Sequence, residues 1–134
     1  MNSNSTVEVV VEMGGTQVVA HVGLHLLGSF ADRLGVGDSL SSAIAPRGER
    51  LPVHDRGKVL CQAMLMLAGG GEACSDIEHL RAQPDLFGAV PSDSTLYRTF
   101  RHLDADTLAA LRTAFAEGRV KAWRRMAATT GTAP

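Results

Sequence analysis

The chain has 134 residues, which is enough for one domain with a modest hydrophobic core. Its aromatic content of 4% predicts a core built mainly from aliphatic side chains. Thirteen basic and fourteen acidic residues give a net charge of -1, which argues against a strongly electrostatic nucleic-acid binder. The sequence contains neither an apolar run long enough to span a membrane nor the basic segment of a signal peptide, so we expect a cytoplasmic protein without a membrane partner.

The charges are distributed unevenly along the chain. In residues 1–46, four acidic side chains stand against Arg33 alone, and they are Glu8, Glu12, Asp32 and Asp38. Residues 98–134 contain seven basic and three acidic side chains. Any anionic partner is therefore expected to meet the second half of the chain.

The N-terminal segment predicts a β-hairpin. The β-branched run VEVVVEM begins at Val7, and Gly14-Gly15 separates it from a second run, TQVVAHV. A lone hairpin is marginally stable in water, so this one should pack on helices or on a partner. Residues 1–22 are accordingly predicted to form a polar N-terminus followed by a hairpin.

Helical periodicity begins at Gly23. Apolar residues recur at helical spacing up to Leu34, and Gly35 is placed as the C′ residue of this helix. Asp38 is then expected to cap a short helix that Pro46 ends. Residues 23–128 are predicted to form a helical domain of DNA-binding type, and 129–134 is predicted to be a tail.

The segment from His54 to Gly71 predicts the central core helix, because its apolar residues cover more than one face. These residues are Val59, Leu60, Ala63, Met64, Leu67 and Ala68. Asp104 is expected to cap a last helix, which Gly118 weakens in its middle. The residues that this helix should turn inward are Leu108, Leu111, Phe115 and Val120 or Trp123.

Between these two helices, the segment Ser75–Leu103 predicts a helix-turn-helix-like unit, with Pro84 and Pro91 closing its loop. In its second helix Leu96, Phe100 and Leu103 form an apolar stripe, which we expect to pack against Ile77 and Leu80. The polar side chains off this stripe are Ser94, Thr95, Arg98, Thr99, Arg101 and His102. Such groups read base edges and bind phosphates in a major groove.

This pattern yields a set of candidate DNA-binding residues. Those expected to face the bases are Ser94, Thr95, Arg98 and His102. Those expected to contact phosphate are Arg101, Arg119, Lys121, Arg124 and Arg125. Two simpler interpretations stay open, since the unit can be a plain amphipathic helix in a small bundle and the basic run can be a solvated helix end. The loop PDLFGAVP is also longer than a standard turn.

The sequence offers no enzyme chemistry. The spacing of Cys61 and Cys74 does not match a metal site, and we expect both thiols to be reduced. His21 and His25 stand four residues apart, but no carboxylate or cysteine joins them in a ligand set. We therefore predict neither a catalytic residue nor a metal site in this chain.

The segment 54–104 resembles the N-terminal region of DDE-type transposases of bacterial insertion sequences, and within them the family called insertion sequence thirteen-eighty. The resemblance is carried by the core helix that ends in a glycine run and by the motifs S-D-I-E-H-L-R, Q-P-D-L-F-G and P-S-D-S-T-L-Y-R-T-F. It extends from Gly23 to about Trp123.

The resemblance implies a helical, DNA-engaging part placed before an RNase H-like core, in which three carboxylates hold two Mg²⁺ ions for strand cleavage and transfer. Pro134 falls about where the first catalytic strand should begin, so we expect no member of this acidic triad, no cofactor and no catalysis in this chain alone. The implied function is that of the DNA-binding N-terminal domain of a truncated DDE transposase, which binds double-stranded terminal repeats during transposition and DNA recombination. Further partners would be a second copy or a full-length transposase. The alternative is a non-catalytic remnant or a helical dimerisation domain without DNA binding.

Overall fold

The computed structural model describes residues 21–44 and 54–131, and within these ranges the chain is mainly α-helical without a strand. A 3-10 turn, Cys74–Ile77, leads directly into the fourth helix. The seven α-helices are α1 (Val22–Arg33), α2 (Val36–Ala43), α3 (Arg56–Ala68), α4 (Glu78–Arg81), α5 (Pro84–Phe87), α6 (Asp93–Arg101) and α7 (Ala105–Thr130). The prediction of a mainly helical fold is thus confirmed.

Helix α3 lies at the centre of the fold, as its sequence predicts. It begins after Asp55, whose carboxylate accepts the Lys58 backbone N–H at 3.0 Å and so caps the first turn. It ends at Gly69, whose N–H donates to the Leu65 carbonyl at 2.9 Å. Its buried residues face two directions because two separate groups of elements pack on it.

The core consists of two apolar clusters that share α3. The first cluster joins α3 to the 3-10 turn, α4 and α6, and consists of Val59, Ala63, Met66, Ile77, Leu80 and Leu96. The second cluster joins α3 to α2 and α7, and consists of Leu40, Ile44, Leu60, Leu111 and Ala114. Burial of aliphatic side chains on both sides of α3 is the main stabilising contribution.

Gly35 both ends α1 and begins α2. Its φ of 69° lies in the left-handed region, which glycine adopts without strain, and its N–H donates to the Asp32 carbonyl at 2.9 Å. The prediction of Gly35 as the C′ residue of α1 is confirmed. The prediction that Asp38 caps the next helix is wrong, because Gly35 is already the N-cap and Asp38 lies in the first turn of α2.

The predicted N-terminal hairpin falls almost entirely outside the described residues. Its second strand was expected to reach Val22, but Val22 is the first residue of α1 and His21 is the N-cap, with φ of 69°. The expected stop at Pro46 also falls in a part that the structure does not describe. At the other end α7 continues through Thr130, so Thr129 and Thr130 are helical, where a tail was expected.

Several apolar side chains that were predicted to face inward are exposed. Leu111 is buried as expected, and Phe115 packs partly buried against the second cluster. The exposed ones are Met64, Leu67, Ala68, Leu108, Val120 and Trp123. The physical reason for Val120 and Trp123 is that α2 packs against the first half of α7, while its second half extends beyond both core clusters.

Candidate nucleic-acid interface

Helix α6 is held firmly in place at its N-terminus. The residue before its cap, Pro91, is buried, and the Ser92 hydroxyl accepts the Thr95 backbone N–H at 3.3 Å. Asp93 follows in the first turn, where a carboxylate is favoured by the helix dipole. Ser92 is therefore the N-cap of α6.

The buried face of α6 packs on the two short elements that precede it. Leu96 is completely buried beside Ile77 and Leu80, as the sequence predicts. The chain before Ile77 is held by the Asp76 carboxylate, which accepts the backbone N–H groups of Glu72 and Ala73 at 2.8 and 2.9 Å. These two hydrogen bonds lower the pKa of Asp76 below its ordinary value.

The connection between α4 and α6 is ordered by contacts with α1 and α3, although it is longer than a standard helix-turn-helix turn. It contains α5, whose Leu86 carbonyl lies 2.7 Å from His25 Nδ1, and the His25 ring meets Phe87 edge-on. Farther along, Gln62 donates to the Ala89 carbonyl at 3.1 Å. The segment thus fixes where α6 begins.

The solvent-facing side of α6 carries hydrogen-bonding, cationic and aromatic groups. At about 100° per residue these side chains fall within one arc of the helix. They are Ser94, Tyr97, Arg98, Arg101 and His102, and all five are exposed. Thr95 lies at the edge of this arc and is half-buried.

The two arginines of this face lie along their own helix. Arg98 Nε donates to the Ser94 carbonyl at 3.1 Å, and its Nη2 donates to Thr95 Oγ1 at 3.4 Å. The Arg101 guanidinium lies over the Tyr97 ring, 5.9 Å from its centroid, in a cation–π contact. Among the described residues neither arginine forms an ion pair with a carboxylate, so no carboxylate of this part of the chain competes with an anionic ligand for them.

Two side chains of α6 are placed differently from the sequence prediction. Thr99 was expected on the polar face, but it is buried, and its hydroxyl donates to the Thr95 carbonyl at 2.9 Å. Phe100 was expected on the apolar stripe, but it is 38% exposed. The buried face is centred between Leu96 and Thr99, so that Phe100 lies at its edge.

Tyr97 was missed by the sequence analysis, although a signal for it exists. It lies three residues after Ser94 and four before Arg101, which is the spacing of side chains on the same side of a helix. Its side chain is 55% exposed. It adds an aromatic group to the polar and cationic face.

The basic run near the end of α7 lies on two different sides of the helix. All four of its side chains are exposed. At about 100° per residue, Lys121, Arg124 and Arg125 share an arc of about 100°, while Arg119 lies on the other side. We refer to Lys121, Arg124 and Arg125 as the basic arc.

The described residues contain no cluster of three or more histidines, cysteines or carboxylates placed to hold a metal ion. None of the helices in this part of the chain is both long and apolar enough to cross a bilayer. Both cysteines are free thiols. Burial, together with Asp32, Asp55 and Asp38, raises the pKa of Cys61 to about 11.

Comparison with known proteins settles the family. The model of the family described as transposase DDE domain group 1 matches residues 1–129. The chain belongs to this family. Neither the curated proteins nor the solved structures gave a match. Membership supports a role related to transposition, which agrees with the DDE-type transposase resemblance found in the sequence.

Proposed function

We propose that this chain is the DNA-binding part of a DDE transposase and binds double-stranded DNA at the terminal repeats of an insertion sequence. Helix α6 would enter the major groove, with Ser94, Arg98 and His102 toward base edges and Arg101 toward phosphate. Thr95 would contribute from the edge of this face. The insertion sequence thirteen-eighty family is the group of transposases whose motifs the chain resembles.

The observation that carries the proposal is the outer face of α6. A reading helix needs a rigidly docked apolar side and an opposite side that offers hydrogen-bond donors. Leu96 provides the docking, since it is fully buried against Ile77 and Leu80. Arg98 and Arg101 provide the donors, because no carboxylate of the described residues pairs with them.

The basic arc of α7 would contact the flanking backbone in this proposal. Lys121, Arg124 and Arg125 are exposed on one side of the helix, so three phosphates could be neutralised together. Arg119 lies on the other side of α7 and would contact phosphate only if DNA reached that side as well. In this proposal the basic arc contributes affinity for any DNA, whereas α6 contributes the preference for one sequence.

The test is DNA binding measured by fluorescence anisotropy at several salt concentrations. The duplexes are the terminal inverted repeat of the insertion element that adjoins the gene and a scrambled duplex of equal composition. Arg98→Ala should weaken binding to the repeat by about 1–3 kcal/mol and remove the preference over the scrambled duplex. Arg124→Ala should weaken both duplexes equally and lower the salt slope by about one.

Arg112→Ala serves as the matched control, because Arg112 is an exposed arginine of α7 outside both proposed contact surfaces. It should bind both duplexes like the unchanged chain. Equal binding of the repeat and the scrambled duplex by the unchanged chain would refute the assignment of α6 as a reading helix.

Catalysis is not part of this proposal. The family resemblance implies Mg²⁺ held by three carboxylates, but no such group comes together among residues 21–44 and 54–131. The described side chains therefore do not fit the metal centre. We propose DNA recognition as the contribution of the described residues.

A further inference from the structure

The second half of α7 exposes an apolar stripe on the side opposite the basic arc. Trp123 and Met126 are each 65% exposed, and Val120 is 41% exposed. At about 100° per residue Trp123 and Met126 flank Arg119 on one side of the helix. Large apolar groups this exposed and this close together indicate a protein contact surface.

A groove of about 650 Å³ lies between α1, α2, α3 and α5. Its apolar lining includes Leu27, Met64, Leu65, Leu86 and Phe87. Small residues at Gly28, Ala31 and Ala68 leave the groove open. Its volume lies within the range of about 300–1,000 Å³ that is usual for binding clefts, so it can accept more than one large side chain.

The groove also has acidic character. Among the described residues that line it, Asp32 and Asp38 are acidic, and Lys58 is the one lysine or arginine. The Cys61 thiol also lines the groove. Burial raises its pKa most, and the negative charges of Asp32 and Asp38 add to this increase, so their field reaches the interior of the groove. An occupant that combines apolar side chains with a cation would therefore match the groove in shape and in charge.

We propose that the Arg119–Trp123–Met126 stripe of one copy of this chain docks in the α1–α3 groove of a second copy. Trp123 and Met126 would cover Leu27 and Met64, while Arg119 would face Asp32 and Asp38. The proposal rests on complementarity in both polarity and charge between two surfaces of the same chain, and it does not depend on the proposed DNA binding.

A two-fold symmetric dimer satisfies this pairing twice. Each copy offers one helix end and one groove, so a closed dimer leaves neither surface open, whereas a one-sided contact would extend into a filament. The basic arc points away from the stripe on the same helix. Lys121, Arg124 and Arg125 of both copies would consequently stay available at the surface of the dimer.

Sedimentation velocity and tryptophan fluorescence test the proposal on the 134-residue chain. Trp123 is the single tryptophan, so its emission should shift to shorter wavelength as rising concentration drives dimerisation. Trp123→Ala should raise the dimer dissociation constant about tenfold or more, as truncation of a buried aromatic anchor does. Met64→Glu, which would bury a carboxylate against the apolar side chains of Trp123 and Met126, should do the same and keep Trp123 emission at its monomer wavelength.

Two control variants are matched to these changes. Leu67→Glu lies on the same helix as Met64 and is exposed, but it does not line the groove. Leu108→Ala changes an exposed apolar residue in the first half of α7. Both controls should dimerise like the unchanged chain, and circular dichroism should show equal helix content in all variants.

The decisive experiment mixes the two impaired chains. A Trp123→Ala chain keeps a normal groove, and a Met64→Glu chain keeps a normal helix end. In a heterodimer one contact is therefore intact, and both substitutions fall in the other contact. Because a contact that one substitution has broken loses little more from the second, the heterodimer should be more stable than either homodimer, in which both contacts are broken. Each impaired chain alone should dimerise less well than the mixture.

Three results would overturn the proposal. They are a chain that stays monomeric throughout, a dimer that neither substitution weakens, and a mixture that associates no better than either chain alone. A monomeric chain whose Trp123 emission shifts only on adding anionic vesicles would assign the stripe to a lipid surface instead.

Discussion

Gly57 of α3 lies tightly against α2, and replacing it tests how these two helices pack. A Cβ built on Gly57 would lie 2.7 Å from the Gly37 carbonyl oxygen and closer still to the backbone nitrogen and hydroxyl of Ser41. Two of these atoms belong to the backbone of α2, so they cannot rotate away as a flexible side chain would. Gly57→Ala must therefore push α2 away from α3.

The magnitude follows from two opposing effects. Overpacking of a close contact costs about 1–3 kcal/mol. Replacing glycine by alanine within a helix gains up to about 1 kcal/mol, although Gly57 is only the second residue of α3 and gains less. We expect a net loss of about 1–2 kcal/mol from the free energy of unfolding.

Gly118→Ala provides the matched control because the same substitution meets no clash there. Its added Cβ would lie 3.9 Å from Val36 Cγ2, which is an ordinary van der Waals distance. Without a clash, the helix preference of alanine should stabilise the chain by about 0.5–1 kcal/mol. The two variants should consequently change stability in opposite directions.

Urea unfolding followed by circular dichroism measures both changes, and equal m-values would show that the unfolding transition is comparable. A Gly57→Ala variant as stable as the unchanged chain would refute the reasoning. It would mean that α2 and α3 are farther apart than the structure has them. Loss of stability in Gly118→Ala would refute the expected space between α2 and α7.

Two further predictions concern the local supports of α6. Ser92→Ala should lower the free energy of unfolding by about 1 kcal/mol and speed amide hydrogen exchange at Thr95, because the Ser92 hydroxyl accepts the Thr95 N–H. Ser92→Asp should preserve both the stability and the slow exchange. Unchanged exchange in the alanine variant would contradict the capping role. Asp76→Asn should destabilise the chain at pH 7. Since folding lowers the pKa of Asp76, its stabilisation is present above the ordinary value of 3.8 and is lost as pH falls through the lower folded value. The stabilities of the unchanged chain and of Asp76→Asn, measured by acid unfolding, should become equal as pH falls through that window. A difference that persists at still lower pH would exclude the ionised Asp76 carboxylate as the cause.

The sequence was most informative where structure depends on neighbouring residues alone. Asp104 accepts the backbone N–H three residues later, as the sequence predicts for a capping residue, and Asp55 and Ser92 cap α3 and α6 in the same way. Such contacts form within one helical turn, so their signal is present in a short stretch of sequence. Asp38 is not the cap of α2, because the chain turns directly from α1 into α2 at Gly35 and α2 begins at Val36. The side-chain pattern does not show that one left-handed residue can both end a helix and begin the next.

Burial was harder to predict because it depends on where a helix meets the rest of the fold. Apolar spacing alone placed Trp123 in the core, yet α7 continues past the residues that cover its first half. On α6 the buried face is rotated toward Thr99, so Thr99 is buried and Phe100 is exposed, the reverse of the prediction. The polar outer face was nevertheless recognised from periodicity, and only Tyr97 was missed from it.

The near-neutral net charge does not argue against DNA binding once the charges are placed on the fold. At physiological ionic strength a charge is screened beyond about 8 Å, so a phosphate responds to the side chains around it and not to the sum over the chain. Arg98 and Arg101 share one exposed face, and the basic arc of α7 groups three more cations. The acidic side chains Asp32 and Asp38 instead line the α1–α3 groove. Opposite charges on separate surfaces cancel in the net charge, but the cations suit DNA and the aspartates suit a cationic protein segment. The DNA-binding and self-association proposals can therefore be tested independently on one chain.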